Sequence, residues 1–250
     1  MEIDFQPLGD KGVRVGFKEE IISPEVNKVV RTFHFALEQE EIPGVEDIVP
    51  TYTSLTIYYR PDIISYGEMV NRLKRIENKL GQIRLPQSRL IEIPVLYNQE
   101  KGPDLSYVAQ YNNLDIEEVI RLHTKEPYLV YMLGFTPGFP YLGGLVEELT
   151  TPRLENPRSK IAGGSVGIGG SQTGIYSVEA PGGWRIIGHT PVKLYDSHRK
   201  DPVLLKAGDY LKFKSVEKEE YEDIKKEVKK GIYQLNIKKM RSDNGGINRY

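Results

Sequence analysis

The amino-acid sequence predicts an α+β protein in which a small two-layer ββαββα unit precedes a β-barrel or β-sandwich. Through the first 84 residues, apolar positions alternate between the two-residue period of strands and the spacing of helices. Farther along, glycine and proline divide the chain into short apolar runs, as in barrels and sandwiches. Thirteen of the 24 glycines lie between Gly134 and Gly188. This dense segment predicts where the functional site lies.

A hairpin and a helix open the first unit. The β-like runs Ile3–Leu8 and Val13–Phe17 flank a Gly-Asp-Lys-Gly turn, which is a hairpin signal. Ser23 is a natural N-cap, with proline at the next position, for a helix that the Pro43-Gly44 pair stops. The helix has apolar residues at helical spacing and therefore buries one face.

Two further strands and a second helix complete the first unit. The strands are predicted at Asp47–Thr51 and Ser54–Tyr59, and the second of them alternates apolar with polar side chains. Ser65 caps the second helix, and Gly81 is its predicted C-cap. Both helices are expected on one face of the sheet.

A linker at Leu85–Ser88 separates this domain, residues 1–84, from a second domain at residues 89–240, and residues 241–250 are predicted to form a disordered tail. The predicted strands of the second domain are Leu90–Leu96, Tyr128–Leu133, Ser165–Ile168, Gly174–Val178, Trp184–Gly188 and Tyr210–Phe213. Its predicted helices are Leu105–Tyr111, Ile116–His123 and Glu217–Lys230.

The composition excludes several classes of function. A net charge of −1 disfavours a nucleic-acid-binding protein, and the absence of cysteine excludes disulfides and thiolate chemistry. The four histidines are scattered without metal-ligand spacing, so no metal site is predicted. No segment has the ~18 consecutive apolar residues of a membrane span. We therefore expect a cytoplasmic protein without a membrane partner.

Three glycine-rich motifs carry a resemblance to a known family. Motif 1 reads GFTPGFPYLGGL at Gly134–Leu145, motif 2 reads GGSVGIGGSQTGIY at Gly163–Tyr176, and motif 3 reads PGGWRIIGHTP at Pro181–Pro191. In these motifs and their order the chain resembles the B subunits of bacterial 5-oxoprolinases. Members of this family are also described as allophanate hydrolase subunit 1 and, in sporulating bacteria, as the sensor-kinase inhibitor KipI. The resemblance extends over nearly the whole chain.

The resemblance implies a cyclophilin-like β-barrel as the second domain. It also implies a component of an ATP-dependent amidohydrolase that is inactive alone and converts 5-oxoproline to glutamate together with the A and C subunits of 5-oxoprolinase. ATP is then used by the assembled complex. The chain has no nucleotide motif of its own, because Ile175 and Tyr176 stand where a Walker A loop needs Lys and Ser/Thr.

The same family offers two other functions. A KipI-type protein binds a sensor histidine kinase and blocks its autophosphorylation, so it acts as a protein-binding module. Allophanate hydrolase subunit 1 is the third alternative, although this chain has no Gly/Ser-rich amidase signature. The sequence shows no complete catalytic set. This absence fits a protein whose active centre is completed by a partner.

Two positions depart from the family pattern. His189 stands in GHTP, where the family usually has arginine, and Gly163 stands where proline is common. If the arginine holds an anion, His189 can replace it only when its ring is protonated. His189 is therefore either a candidate acid–base group or a structural residue.

Opening a lactam with ATP requires charge stabilisation and hydrogen bonds to the amide. The predicted substrate-binding residues are Arg158, Ser165, Gln172, Thr173, Tyr176 and Arg185. The catalytic residues stay unknown, with Arg158, Gln172 and His189 as candidates. The glycines of motif 2 either form an anion cradle with their N–H groups or only make tight turns.

The aromatic residues of motifs 1 and 3 also allow two interpretations. Phe135, Phe139 and Tyr141 either belong to the core or form an apolar groove for a partner protein. Trp184, the single tryptophan, is either a core plug or a pocket wall.

Overall fold

A computed structural model describes residues 2–17 and 23–240 of the 250-residue chain. The chain divides at Pro86 into two compact units, each with its own hydrophobic core. Helices and strands are both abundant, so the protein is α+β, as the sequence predicts. The predicted disordered tail, residues 241–250, lies outside the described residues.

The first unit is a four-stranded antiparallel sheet with two helices. The strands follow the spatial order β1-β2-β4-β3. Its elements are β1 (Ile3–Leu8), β2 (Gly12–Phe17), α1 (Pro24–Glu40), β3 (Val45–Pro50), β4 (Ser54–Tyr59) and α2 (Tyr66–Glu77). Apolar residues from both helices and from the sheet form one buried cluster that includes Phe33, Leu55, Ile57, Met69 and Leu73.

Both helices begin at the predicted caps. The Ser23 hydroxyl accepts a hydrogen bond from the Val26 N–H at 3.2 Å, and Ser65 and Glu68 form a reciprocal capping box. The predicted C-cap at Gly81 is wrong: α2 ends at Glu77, with Asn78 as the C-cap. The chain then tightens into a 3₁₀ turn that contains Gly81, because i→i+3 bonds satisfy the last carbonyls.

The second unit contains ten strands and three helices among the described residues. Its elements are β5 (Arg89–Val95), α3 (Leu105–Tyr111), α4 (Ile116–Lys125), β6 (Tyr128–Gly134), β7 (Phe139–Gly143), β8 (Arg158–Ile161), β9 (Ser165–Gly169), β10 (Gln172–Ile175), β11 (Ala180–Gly182), β12 (Arg185–His189), β13 (Tyr210–Ser215), α5 (Lys218–Lys230) and β14 (Ile237–Lys239).

Eight of these strands form one sheet in the order β12-β9-β10-β7-β6-β13-β5-β14, and β8 pairs separately with β11. The sheet curls until β12 meets the end of β5, where Leu96 and His189 exchange two backbone hydrogen bonds of 2.9 and 3.1 Å. The interior is apolar, with Ile91, Ile93 and Phe213 among its buried residues. This one bridge joins β12 to the end of β5, while β14 remains at the other edge of the sheet.

Strands β7, β8, β11 and β14 are not among those that the sequence predicts. They are short, and β7 and β11 contain glycine and proline, which weaken the local strand signal. The predicted strand Gly174–Val178 lies instead at Gln172–Ile175. Gly170 adopts φ +66° in the β9–β10 turn, and this turn places Gln172 directly opposite Gly169.

Replacing Ser65 with Ala should lower the free energy of unfolding by about 1 kcal/mol, because it removes the hydroxyl that accepts the Glu68 N–H in the capping box. Urea denaturation measures the change. Asn71→Ala on the exposed side of the same helix is the matched control and should not destabilise the protein. Equal destabilisation by the two variants would contradict the role of the cap.

Candidate functional site

The fold brings the three motifs together in neighbouring strands. Motif 1 contains β7, motif 2 contains β9 and β10, and motif 3 contains β12. These four strands are adjacent in the order β12-β9-β10-β7. Segments that lie far apart in the sequence therefore form one continuous surface of the sheet.

Trp184 packs across this surface and explains several of the motif 2 glycines. A Cβ at Gly169 would lie 2.5 Å from the indole, and one at Gly174 would lie 3.0 Å from it. The indole makes edge-to-face contacts with Phe139 and Tyr176 at centroid distances of 5.6 and 6.4 Å. Trp184 is only 6% exposed, so it is a core plug.

The backbone of motif 2 is occupied by hydrogen bonds within the protein. The N–H groups of Gly164, Ser165 and Gly170 donate to the carbonyls of Tyr176, Ala162 and Thr151, respectively. Together with the packing on Trp184, these bonds support the interpretation that the glycines serve turns and close packing. They leave these three N–H groups unavailable for an anion cradle.

Arg158 is held by a buried carboxylate. Its guanidinium donates two hydrogen bonds to Asp104, at 2.8 and 2.9 Å, and Asp104 also accepts the Ile186 N–H at 2.7 Å. The hydrogen bonds to Asp104 raise the pKa of Arg158. Asp104 precedes α3 without capping it. An acidic residue at a helix start is the only sequence signal for this pair, because its two members lie 54 positions apart.

Arg185, Gln172 and Tyr176 have different surroundings, and Tyr176 is buried in the Trp184 cluster with 2% of its surface exposed. The Arg185 guanidinium stacks 3.7 Å from the centre of the Tyr107 ring, and its Nε donates to the Pro152 carbonyl. Gln172 is half-buried at the start of β10. Burial raises the pKa of Tyr176, against a smaller opposite effect of the nearby Arg158.

Thr173 points away from this surface into the core. Its hydroxyl donates to the Gly167 carbonyl at 3.0 Å and accepts from Nε2 of His123 at 2.7 Å. The other ring nitrogen, Nδ1, lies 2.7 Å from the Tyr97 hydroxyl. Burial lowers the pKa of His123 to about 3, so the ring is neutral. The position of Thr173 is that of a core residue and does not suit substrate binding.

The predicted partner-binding aromatics are exposed to very different degrees. Phe135 is 61% exposed and has φ +59°, whereas Phe139 is 3% exposed and Tyr141 is half-buried. Phe135 packs edge-to-face on Phe139 at 5.5 Å. Of the three rings, Phe135 alone offers a large apolar surface to a partner.

His189 is hydrogen-bonded at both ring nitrogens. Nε2 lies 3.0 Å from the Gly163 carbonyl, and Nδ1 lies 2.9 Å from the Tyr221 hydroxyl of α5. Since a carbonyl only accepts, Nε2 carries the hydrogen and Nδ1 accepts from the tyrosine. Burial lowers the pKa of His189 to about 4. The ring is therefore neutral near pH 7 and cannot replace a cationic arginine.

His189 also lines a pocket between motifs 2 and 3. The pocket has a volume of about 410 Å³. Its walls are formed by the start of motif 2, the residues after motif 2, the end of motif 3 and the residues after motif 3: Gly163, Gly164, Ser177, Val178, Glu179, His189, Thr190, Pro191, Val192, Lys193, Tyr195, Asp196 and Ser197. The hydroxyl of Thr136, in motif 1, lies 3.1 Å from that of Ser177.

Gly164 lets the two walls of the pocket approach each other. Its φ is +91°, and a Cβ there would lie 2.4 Å from the Thr190 carbonyl and 2.6 Å from the His189 ring. The two positions that depart from the family pattern, Gly163 and His189, are in direct contact here. Motifs 2 and 3 thus meet around an open volume, and Thr136 connects motif 1 to its wall.

The predicted site residues are thus not brought together in one place. Tyr176 is buried in the Trp184 cluster, and Arg158 lies beside the Trp184 carbonyl. Arg185 lies against Tyr107 of α3, and Gln172 is half-buried at the start of β10. Thr173 lies in the core, and His189 lines the pocket. Ser165, 6% exposed, lies opposite His189 in the β9–β12 pair. Sequence reasoning missed Ser177, Thr190 and Tyr221, because spacing alone does not show which strands are neighbours.

Within residues 2–17 and 23–240, no group of three or more His, Cys, Asp or Glu side chains is placed to hold a metal ion. In the same ranges, every helix is too short or too polar to cross a membrane.

Comparison with known proteins identifies the family. A family profile described as "Carboxyltransferase domain, subdomain C and D" matches residues 3–205. The 5-oxoprolinase B subunit of Bacillus subtilis (strain 168) is 42% identical over 234 residues, which cover 89% of this chain and 96% of the relative. The chain belongs to the family of 5-oxoprolinase B subunits.

Solved structures share the fold of this chain. The crystal structure of TTHA0988 superposes with a TM-score of 0.74 at 38% identity and covers 83% of this chain, which spans 40% of the length of TTHA0988. Kluyveromyces lactis urea carboxylase has a TM-score of 0.76 at 19% identity over 95% of this chain and 24% of its own, and this likeness shows a shared fold.

Replacing Gly169 with Ala should displace Trp184, because the new Cβ would lie 2.5 Å from the indole. We expect a loss of about 1–3 kcal/mol of folding free energy and a red shift in the emission of this single tryptophan. Gly67→Ala, which meets open space in α2, is the control and should leave both quantities unchanged or improve stability. An unshifted emission spectrum for Gly169→Ala would show that the indole is seated elsewhere.

Acid should destabilise the protein through its neutral histidines. Both His123 and His189 have a folded-state pKa below the unfolded value of about 6.5, so unfolding takes up protons from pH 6.5 down to about 4 for His189 and about 3 for His123. Their contribution to stability is present above pH 6.5 and is lost as the pH falls through this window. In urea titrations near pH 5, His189→Gln should reduce proton uptake on unfolding by about one proton. An unchanged uptake in His189→Gln would contradict the neutral ring.

Proposed function

We propose that this chain is the B subunit of an ATP-dependent 5-oxoprolinase, which converts 5-oxoproline to glutamate together with its A and C subunits. The observation that carries the proposal is the 42% identity to the Bacillus subtilis 5-oxoprolinase B subunit over 96% of that relative. The second unit is then a cyclophilin-like barrel, which agrees with the closure of its sheet between Leu96 and His189. ATP is used by the assembled complex.

The residues of the pocket support the inference that the protein is inactive alone. The pocket contains hydroxyl groups and a neutral imidazole, and within the described residues it has no nucleophile activated by a neighbouring base. Arg158, the strongest cationic candidate, is held by Asp104. Groups that activate and cleave the lactam must therefore come from another polypeptide. We propose that this chain positions the substrate and that a partner closes the site.

Phe135 supports the need for such a partner. The Phe135 ring is 61% exposed, so apolar surface is in contact with water, and its backbone has a positive φ, which is strained for a residue with a side chain. Both free-energy costs are offset when a partner covers the ring. Phe135 lies in motif 1, immediately after β6 and beside the Phe139 ring. We propose that it contacts the C subunit.

Turnover by the three proteins tests the function. Purified A and C subunits from the same genome, mixed with this chain and ATP, should release glutamate from 5-oxoproline, and omission of this chain should abolish the release. Ser177→Ala should lower kcat/KM by about tenfold, which is the value of one hydrogen bond of about 1.4 kcal/mol. Ser159→Ala, on an exposed position of β8, is the matched control and should retain turnover.

No glutamate release by the complete, folded set of three proteins would contradict the proposed function. Release that does not require this chain would contradict it equally.

A further inference from the structure

We propose that one face of the second unit binds a second copy of this chain and forms a two-fold symmetric dimer. This surface, called the α3 face below, consists of Tyr107 and Tyr111 of α3, Ile116 and Glu117 at the start of α4, and Arg185 of β12. The proposal does not depend on 5-oxoproline turnover, because it concerns association of the chain with itself.

The centre of the α3 face is apolar and open to solvent. Tyr107 and Tyr111 lie one helical turn apart and are 38% and 52% exposed, and their rings stack with centroids 6.0 Å apart. Ile116 is 40% exposed and lines a shallow groove of about 800 Å³ between α3 and the start of α4. Clustered apolar surface of this kind is typical of a protein–protein contact.

Arg185 lies at one end of the α3 face, with its terminal nitrogens unused. Its guanidinium lies 3.7 Å from the centre of the Tyr107 ring, and its Nε donates to the Pro152 carbonyl at 3.3 Å. These two contacts orient the group, yet Arg185 forms no ion pair within residues 2–17 and 23–240. A planar cation that is already oriented and has free donors suits a carboxylate from another molecule.

Glu117 supplies a carboxylate at the other end of the α3 face. The neighbouring acidic groups are occupied, because Asp115 accepts the Glu118 N–H at 2.7 Å and Glu118 pairs with Arg121 at 2.6 Å. Glu117 is exposed and lines the groove, and in the described part of the chain its carboxylate has no ion-pair partner. The same face of one chain therefore carries an unpaired cation and an unpaired carboxylate.

The order of these groups suits a two-fold axis. From Arg185 the α3 face continues through Tyr107 and Tyr111 to Glu117, so opposite charges flank an aromatic centre. In a two-fold dimer a patch meets itself, and the two ends of the patch exchange partners. Two copies placed in this way bring Arg185 of each copy to Glu117 of the other and bury the tyrosines between them. Tyrosine and arginine are also the residues that contribute most at interface centres.

Sedimentation velocity of the full chain tests the dimer. The unchanged chain should sediment as a dimer at high concentration and dissociate on dilution. Arg185→Glu and Glu117→Arg should each weaken association by about tenfold or more, because like charges then face each other twice across the axis. An equimolar mixture of these two variants should restore the dimer, because both ion pairs of the mixed dimer again join opposite charges.

A second variant tests the aromatic centre without a change of charge. Tyr111→Ala should weaken association by about tenfold, and it removes only an exposed side chain, so it keeps the test available if a charge variant does not fold. Tyr58→Ala, at a position of β4 that is 41% exposed, is the matched control and should leave association unchanged. Circular dichroism verifies the fold of each variant.

Three results would overturn the proposal. The first is an unchanged chain that stays monomeric up to about 1 mM. The second is a dimer that survives both charge reversals, which would place the contact on another surface. The third is a mixture of the two folded charge variants that stays monomeric.

Discussion

The candidate site depends on His189 more than on any other residue. Its backbone closes the curled sheet by two hydrogen bonds to Leu96. Its side chain connects the motif 2 turn at Gly163 with α5 through Tyr221. The bond to the Gly163 carbonyl requires Nε2 to donate, and because burial lowers the pKa of the ring to about 4, Nδ1 is left to accept from Tyr221. The closed sheet, the pocket wall and the uncharged chemistry of the pocket thus meet at one residue.

The outer surface of the motif strands is held by the packing of Trp184 and by an ion pair. There, Trp184 occupies the space that the absent side chains of Gly169 and Gly174 leave open. Beside it, the Arg158–Asp104 pair connects β8 to the start of α3 and satisfies the Ile186 N–H. Removal of Arg158 would leave a buried carboxylate without its cation, which is strongly destabilising. Loss of activity in an Arg158 variant would therefore not by itself identify a substrate contact.

Local rules predict most of the elements but little of the site. The bounds of α3 agree with the prediction, and α1 and α2 begin at the predicted caps, because N-caps and apolar spacing act over a few residues. The contact between Thr173 and His123 joins residues 50 positions apart, and that between Asp104 and Arg158 joins residues 54 apart. Such pairs depend on which strands are neighbours, which no local spacing reveals. For this reason the sequence alone points to Thr173 as a substrate contact, although its side chain faces the core.

The tautomer and titration of His189 test this account most directly. Long-range ¹H–¹⁵N spectra of the imidazole groups, recorded from pH 8 to pH 4, report which ring nitrogen carries the hydrogen and where the ring becomes charged. We predict Nε2–H across this range, with protonation only near pH 4. A ring with its hydrogen on Nδ1, or a ring that becomes charged near the ordinary histidine pKa of about 6.5, would contradict this account of His189.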